Sequence, residues 1–358
     1  MEDFVFVAVV GARFVVPLFI PRFPLPAIVA ALVLDAVDQT VFAAFNVEPD
    51  NYQGYDKALD IFYLTIAYIS TLRNWTDGFA FRVAQFLWYY RLIGVVLFEF
   101  TGVRAMLLIF PNTFEYFFIF YEVVRLWYDP RRLSRAHILA AAAGIWIFIK
   151  LPQEWWIHIA QFDFTDVLGD NLWLLPLFAV VGITGIALVW INRSKIPETD
   201  WRLTFDVDTH VTTVLGTSAD PPSGKWVLIS HPLFEKIVLI ALVSMIFSQI
   251  LPDMDASNVQ LAVGLGIVIA LNSFVSQWLV YRGTTWASTT SQFLAMGAIN
   301  IGIVVAFRAL LRQFEGDLDL GNTLFIIALL TLIVTLYDRY RAMRLPGSKL
   351  APAVVTKE

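Results

Sequence analysis

Apolar stretches of about 20 residues recur along the chain, each long enough to cross roughly 30 Å of hydrocarbon as a helix. On that rule about eleven segments qualify as spans. They are 4–20, 24–45, 56–73, 79–101, 104–127, 138–161, 172–191, 233–251, 257–280, 285–311 and 321–338. The polar connections are mostly short. The exception is 192–232, where WRLTFDVD, HVTTVLGT and KWVLIS alternate apolar and polar positions at the period of a strand. The pattern predicts an all-α polytopic membrane protein of about eleven helices with a small soluble β-hairpin-like insert. It divides into an ion-rich N-terminal membrane bundle (1–161), a connecting span (162–191), the insert (192–232), an apolar C-terminal bundle (233–345) and a tail (346–358).

Composition agrees with this reading. The chain is 58% hydrophobic and 15% charged, whereas a soluble domain carries about 25% charged residues. It has no cysteine, which excludes disulfides, thiol nucleophiles, iron–sulfur clusters and thiolate zinc sites. Its four scattered histidines argue against a histidine-rich metal cage. A net charge of −5 offers no basic stripe for nucleic acid. Met1-Glu2-Asp3 lacks the positive region of a secretory signal, so the first apolar segment is expected to be retained.

Lys and Arg placement sets the expected orientation. Arg125, Arg131, Arg132 and Arg135 put the 128–137 loop inside, and Asp163, Asp166 and Asp170 suit the next loop outside. Arg339, Arg341, Arg344 and Lys349 then place the C-terminus in the cytoplasm, for a protein of the plasma or cytoplasmic membrane. The same alternation puts loop 46–55 outside.

Ionisable residues inside spans are expensive, about 2.5–3.5 kcal/mol each near the centre, and they mark function or pairing. Here they crowd into the first six spans: Arg13, Asp35, Asp38, Asp56, Asp60, Arg82, Arg91, Glu99, Glu115, Glu122, Lys150, Glu154 and His158. The later spans carry mainly amides away from their ends, such as Gln249, Asn272 and Asn300. They read as scaffold and as a surface for oligomerisation.

Asp35 with Asp38, and Asp56 with Asp60, are spaced to share helix faces, and a short loop brings both pairs to one membrane surface. Four converging carboxylates call for a cation, and all-oxygen ligands suit Mg²⁺, Ca²⁺ or Mn²⁺. The plainer alternative is solvated or helix-capping acids at span ends. The spacing also resembles the CDP-alcohol phosphatidyltransferases, whose pattern is Asp-x-x-Asp-Gly-x-x-Ala-Arg, a later Gly, then Asp-x-x-x-Asp. Here the acids stand as Asp35-Ala36-Val37-Asp38 and Asp56-Lys57-Ala58-Leu59-Asp60, within residues 1–150. The resemblance implies Asp35, Asp38 and Asp56 as ligands of Mg²⁺ or Mn²⁺ and Asp60 as base, in a transferase acting on a lipid or phosphate-linked substrate. The remaining pattern positions differ: Gln39 and Tyr52 replace glycines, Phe42 the alanine and Ala43 the arginine. That family's site also faces the cytoplasm, opposite to the side expected here.

A second constellation is Lys150, Glu154 and His158, at steps of four on one helix face. Trp155 and Trp156 flank it like an interfacial belt, and Pro152 interrupts the helix. The three residues suit a proton or cation path, or else a self-neutralising Lys–Glu ladder with His at the headgroups. Arg82, Arg91, Glu99, Glu115 and Glu122 form a third group, with Pro111-Asn112-Thr113 breaking the fifth span. They read as interhelical ion pairs. Arg91 is also a candidate catalytic residue, its fork suited to a phosphate or carboxylate. Two functions follow: a metal-dependent membrane transferase, or a cation- or proton-coupled transporter or channel-like protein. A non-catalytic membrane scaffold is the third.

Overall fold

The computed structural model describes residues 2–45, 52–127, 133–160, 231–250, 294–302 and 320–343, with isolated helical positions between 176 and 191. Residues 192–230 of the expected insert (192–232) and the tail lie outside the described residues, as do 257–280 and most of 172–191 and 285–311; residues 231–232 are helical. No strand occurs among the described residues.

The chain divides by contact into two units, Met1–Thr76 with Trp201–Glu358, and Asp77–Asp200. The boundary at 76/77 falls inside the stretch that the sequence pattern groups as 1–161.

In the first unit, α1 (Glu2–Val15), α2 (Pro24–Ala44) and α3 (Tyr52–Asn74) are followed in sequence by α8 (His231–Ile250) and α9 (Leu320–Met343). Pro24 opens α2, where proline's missing N–H costs no helix bond. Every residue from 61 to 72 is buried, so this part of α3 is enclosed on all sides. It packs against α1, α2, α8 and α9. At its end, Arg73 Nη1 and Asn74 Nδ2 donate to the carbonyl of Pro21 at 2.7 and 3.0 Å, fixing α3 to the turn between α1 and α2.

The second unit holds α4 (Gly78–Thr101), α5 (Ala105–Ile109), α6 (Thr113–Trp127) and α7 (Arg135–Ala160). Asp77 caps α4 by accepting from the N–H groups of Phe79 and Ala80 at 2.7 and 3.3 Å. Gly102, at φ 65°, ends α4 in the left-handed conformation that glycine adopts without strain. Ser134 caps α7 through the N–H of His137. Two stretches of α7, Ile145–Lys150 and Trp155–Ala160, are π-helical and flank the turn that contains Pro152. Such widened turns recur at functional sites.

Three helical stretches, Gly78–Thr101, Ala105–Leu126 (α5 and α6 with the break between them) and Arg135–Ala160, are long and apolar enough to cross a membrane. Much of their outward surface is apolar too. On α7, Phe148 is 79% exposed, and Leu139, Ile147, Trp155 and Ile157 are exposed beside it. Water would penalise such a surface, whereas lipid tails would cover it.

Candidate functional site

The second unit carries a buried ionic network built around the break between α5 and α6. Pro111 cannot continue a helix, because it lacks an N–H and its ring crowds the preceding turn. The carbonyl of Phe110, freed there, accepts from Arg91 Nη1 of α4 at 3.1 Å. Gly94, one turn along α4 from Arg91, makes this approach feasible. A Cβ at that position would lie 2.1 Å from Phe110 Cβ.

The backbone N–H of Asn112, just ahead of α6, donates to Glu154 Oε1 of α7 at 3.0 Å. Arg91 Nη1 stands 3.9 Å from the same oxygen. The other oxygen, Glu154 Oε2, lies 2.9 Å from His158 Nε2, one turn further along α7. Lys150 does not pair with Glu154. Its Nζ reaches Glu115 Oε2 of α6 at 3.5 Å and sits 3.9 Å from the centre of the Tyr116 ring. Asn112 Nδ2 also donates to Glu115 Oε2, at 2.5 Å.

The network is deeply buried. Lys150, Glu115 and Glu154 are 3–4% exposed, whereas the His158 side chain retains 18%. Arg91 and Lys150 balance Glu115 and Glu154. Unmatched charges would be strongly destabilising here, so the balance is a condition of folding. Within it, Glu154 and His158 form a carboxylate–imidazole couple able to hold or pass a proton, with the more accessible partner toward the end of the helix.

The first unit gathers acids differently. Arg13, 4% exposed, hydrogen-bonds Asp35 and Asp38 of α2 and, at 3.0 Å, Asp60 of α3. Asp38 is 1% exposed. Asp35 and Asp38 thus meet Asp60, with the Arg13 guanidinium standing between them, where a bridging ion would sit. Among the described residues no group of three or more His, Asp or Glu side chains could hold a metal ion. The side chain of Asp56 lies outside the described residues. In the same unit, Tyr68 donates to Glu235, Arg341 stands 3.6 Å from Glu235, and Lys236 binds Asp338 at 2.9 and 3.0 Å.

Lys150, Glu154, His158 and Arg91 therefore meet in one network, with Glu115 as a further member. Glu122 pairs within α6 with Arg125, at 2.8 Å, and Arg82 is exposed. Arg13 was the residue whose place the spacing argument left open, although an arginine in an apolar first span signals a partner acid. Asn112 acts through its backbone N–H, which no side-chain pattern announces. Glu235 and Lys236, at a span end, are both 5% exposed and paired.

No known protein family, curated protein sequence or solved structure matches this chain.

Proposed function

We propose that the protein is a proton-coupled membrane transporter in which Glu154 and His158 exchange the proton. The observation that carries this reading is the 2.9 Å contact of His158 with a carboxylate that is buried in an apolar helix and bound to a helix break. Broken helices are where membrane transporters place their sites, because freed backbone groups and a helix terminus can meet a bound species. The π-helical stretches around Pro152 support the same reading, since such widened turns recur at functional sites. The wider architecture of about eleven spans, with the C-terminus in the cytoplasm, belongs to this proposal.

The test is proton influx into vesicles loaded with a pH-sensitive dye after an acid pulse. Wild-type vesicles should acidify faster than protein-free ones in at least one anion of a mixed panel. Glu154→Gln and His158→Gln should each remove the excess. A wild-type rate equal to that of empty vesicles in every anion, or an excess that survives both substitutions, overturns the reading.

The convergence of Asp35, Asp38 and Asp60 favours a second reading, a metal-dependent transferase for a lipid or phosphate-linked substrate. It assigns Asp35, Asp38 and Asp56 to Mg²⁺ or Mn²⁺, with Asp60 as base, and it requires Arg13 to give up its carboxylates. Electron resonance of Mn²⁺ with the wild type and Asp56→Asn tests it: saturable binding lost in the variant supports it, and no binding in either sinks it.

A further inference from the structure

The charges around the α5–α6 break balance only while the Glu154–His158 couple carries no added proton. Arg91 of α4 and Lys150 of α7 stand against Glu115 of α6 and Glu154 of α7. His158 is the remaining titratable neighbour along α7, and Tyr116 of α6 lies against Lys150. α5, packed on this part of α7, brings no ionisable side chain. One proton added to the couple, on either partner, therefore leaves one unbalanced positive charge. Burial makes such a charge costly, and an anion is the group that cancels it.

Further features indicate where that anion would sit. The N-terminus of α6, a helix of 15 residues, carries partial positive charge. Thr113 at this terminus is 1% exposed, and its Oγ1 is buried without a hydrogen-bond partner. Arg91 Nε is buried without one as well. The Thr113 hydroxyl and Arg91 Nε–H are donors suited to an oxyanion. The group that already engages this terminus is itself a carboxylate, that of Glu154.

We propose that a small monovalent oxyanion of the carboxylate type binds between Arg91 and the N-terminus of α6, displacing Glu154 from it, and travels with the proton held by the Glu154–His158 couple. The inference rests on the proton-exchange reading and adds the co-substrate to it. Proton and anion each remove the charge the other introduces, so each tightens the binding of the other by the same factor. Glu154 is the internal stand-in for the anion, and protonation of the couple is what lets it withdraw.

Nitrate is the probe, because it is a planar oxyanion that does not itself titrate. Calorimetry on the protein in lipid nanodiscs, at about pH 5.5 and about pH 7.5 in buffers of different ionisation enthalpy, counts the protons taken up on binding. Nitrate should bind the wild type about tenfold more tightly at the lower pH, with net proton uptake. Glu154→Gln, already one negative charge short, should bind nitrate at about pH 7.5 about as tightly as the wild type does at about pH 5.5, His158→Gln should weaken the pH dependence, and Arg91→Gln should abolish binding. Should Glu154→Gln fail to fold, the proton count on the wild type and the weakened binding expected of Thr113→Val decide the matter. Absence of nitrate binding at both pH values, or binding without proton uptake, overturns the inference. If vesicle proton influx is nevertheless present and depends on Glu154 and His158, the proton-exchange reading stands alone. Nitrate binding with proton uptake but no influx supports the anion site and removes the transport reading.

Discussion

Glu154 of α7 accepts the backbone N–H of Asn112 at 3.0 Å, a bond spanning 42 residues of sequence that joins a buried carboxylate to the start of α6. The bond exists because Pro111 interrupts the helix and exposes the N–H groups of the turn that follows. A carboxylate there satisfies an orphan donor and the positive end of the helix together.

The close approach that builds this break depends on Gly94. Gly94→Ala would drive a methyl to 2.1 Å from Phe110 Cβ, an atom fixed to the backbone of the break rather than the end of a flexible side chain. The expected cost is about 1–3 kcal/mol of stability, from overpacking. Thermal unfolding in detergent should show a clear drop for Gly94→Ala and almost none for Gly11→Ala, whose added Cβ meets nothing within 4 Å. Equal midpoints for the two variants would contradict the placement of the break.

Lys150 and Glu115 are both buried and lie 3.5 Å apart. Lys150→Met should destabilise by about 3–5 kcal/mol, because it leaves the Glu115 carboxylate uncompensated. Lys150→Met with Glu115→Gln should recover a large part of that loss, which a double-mutant cycle on unfolding midpoints would measure. Additive effects would mean that the two charges do not meet.

Arg13 neutralises acids from two helices at once. Arg13→Gln should therefore lower stability by several kcal/mol, about 3–5 on the scale of a broken buried pair. Millimolar Mg²⁺ or Mn²⁺ should restore part of it in this variant alone, since the carboxylates left behind present oxygen ligands. A variant indifferent to divalent ions would show that the acids separate once the guanidinium is gone.

Tyr68 on α3 donates to Glu235 on α8, deep in the first unit. Tyr68→Phe removes the hydroxyl and little else. The loss should be about 1.5–3 kcal/mol, the range for hydrogen bonds to charged groups. An unchanged midpoint would mean that the Tyr68 hydroxyl adds nothing to the hold on Glu235.

Helical spacing and desolvation cost made much of the site legible. Lys150, Glu154 and His158 share a face because they step by four, and an apolar span forces each to find a partner. Spacing could not choose the partners. A Lys–Glu ladder within α7 satisfies the same arithmetic as the observed cross-helix pairs, Lys150 with Glu115 and Glu154 with Arg91. Likewise the acids of α2 and α3 pointed to a shared cation, and which cation depended on where α1 lay.

The sequence alone therefore determined the helical class of the described residues, the apolar helices of membrane-crossing length among them and the buried charges requiring compensation. These depend on local periodicity and on a transfer cost that each residue carries with it. Only the tertiary structure decided that Arg13 reaches Asp35, Asp38 and Asp60, and that Asn112 offers its N–H to Glu154. Those contacts depend on how helices far apart in sequence pack, and on backbone groups that every residue possesses. A pattern of side chains does not encode which of them a helix break will leave free.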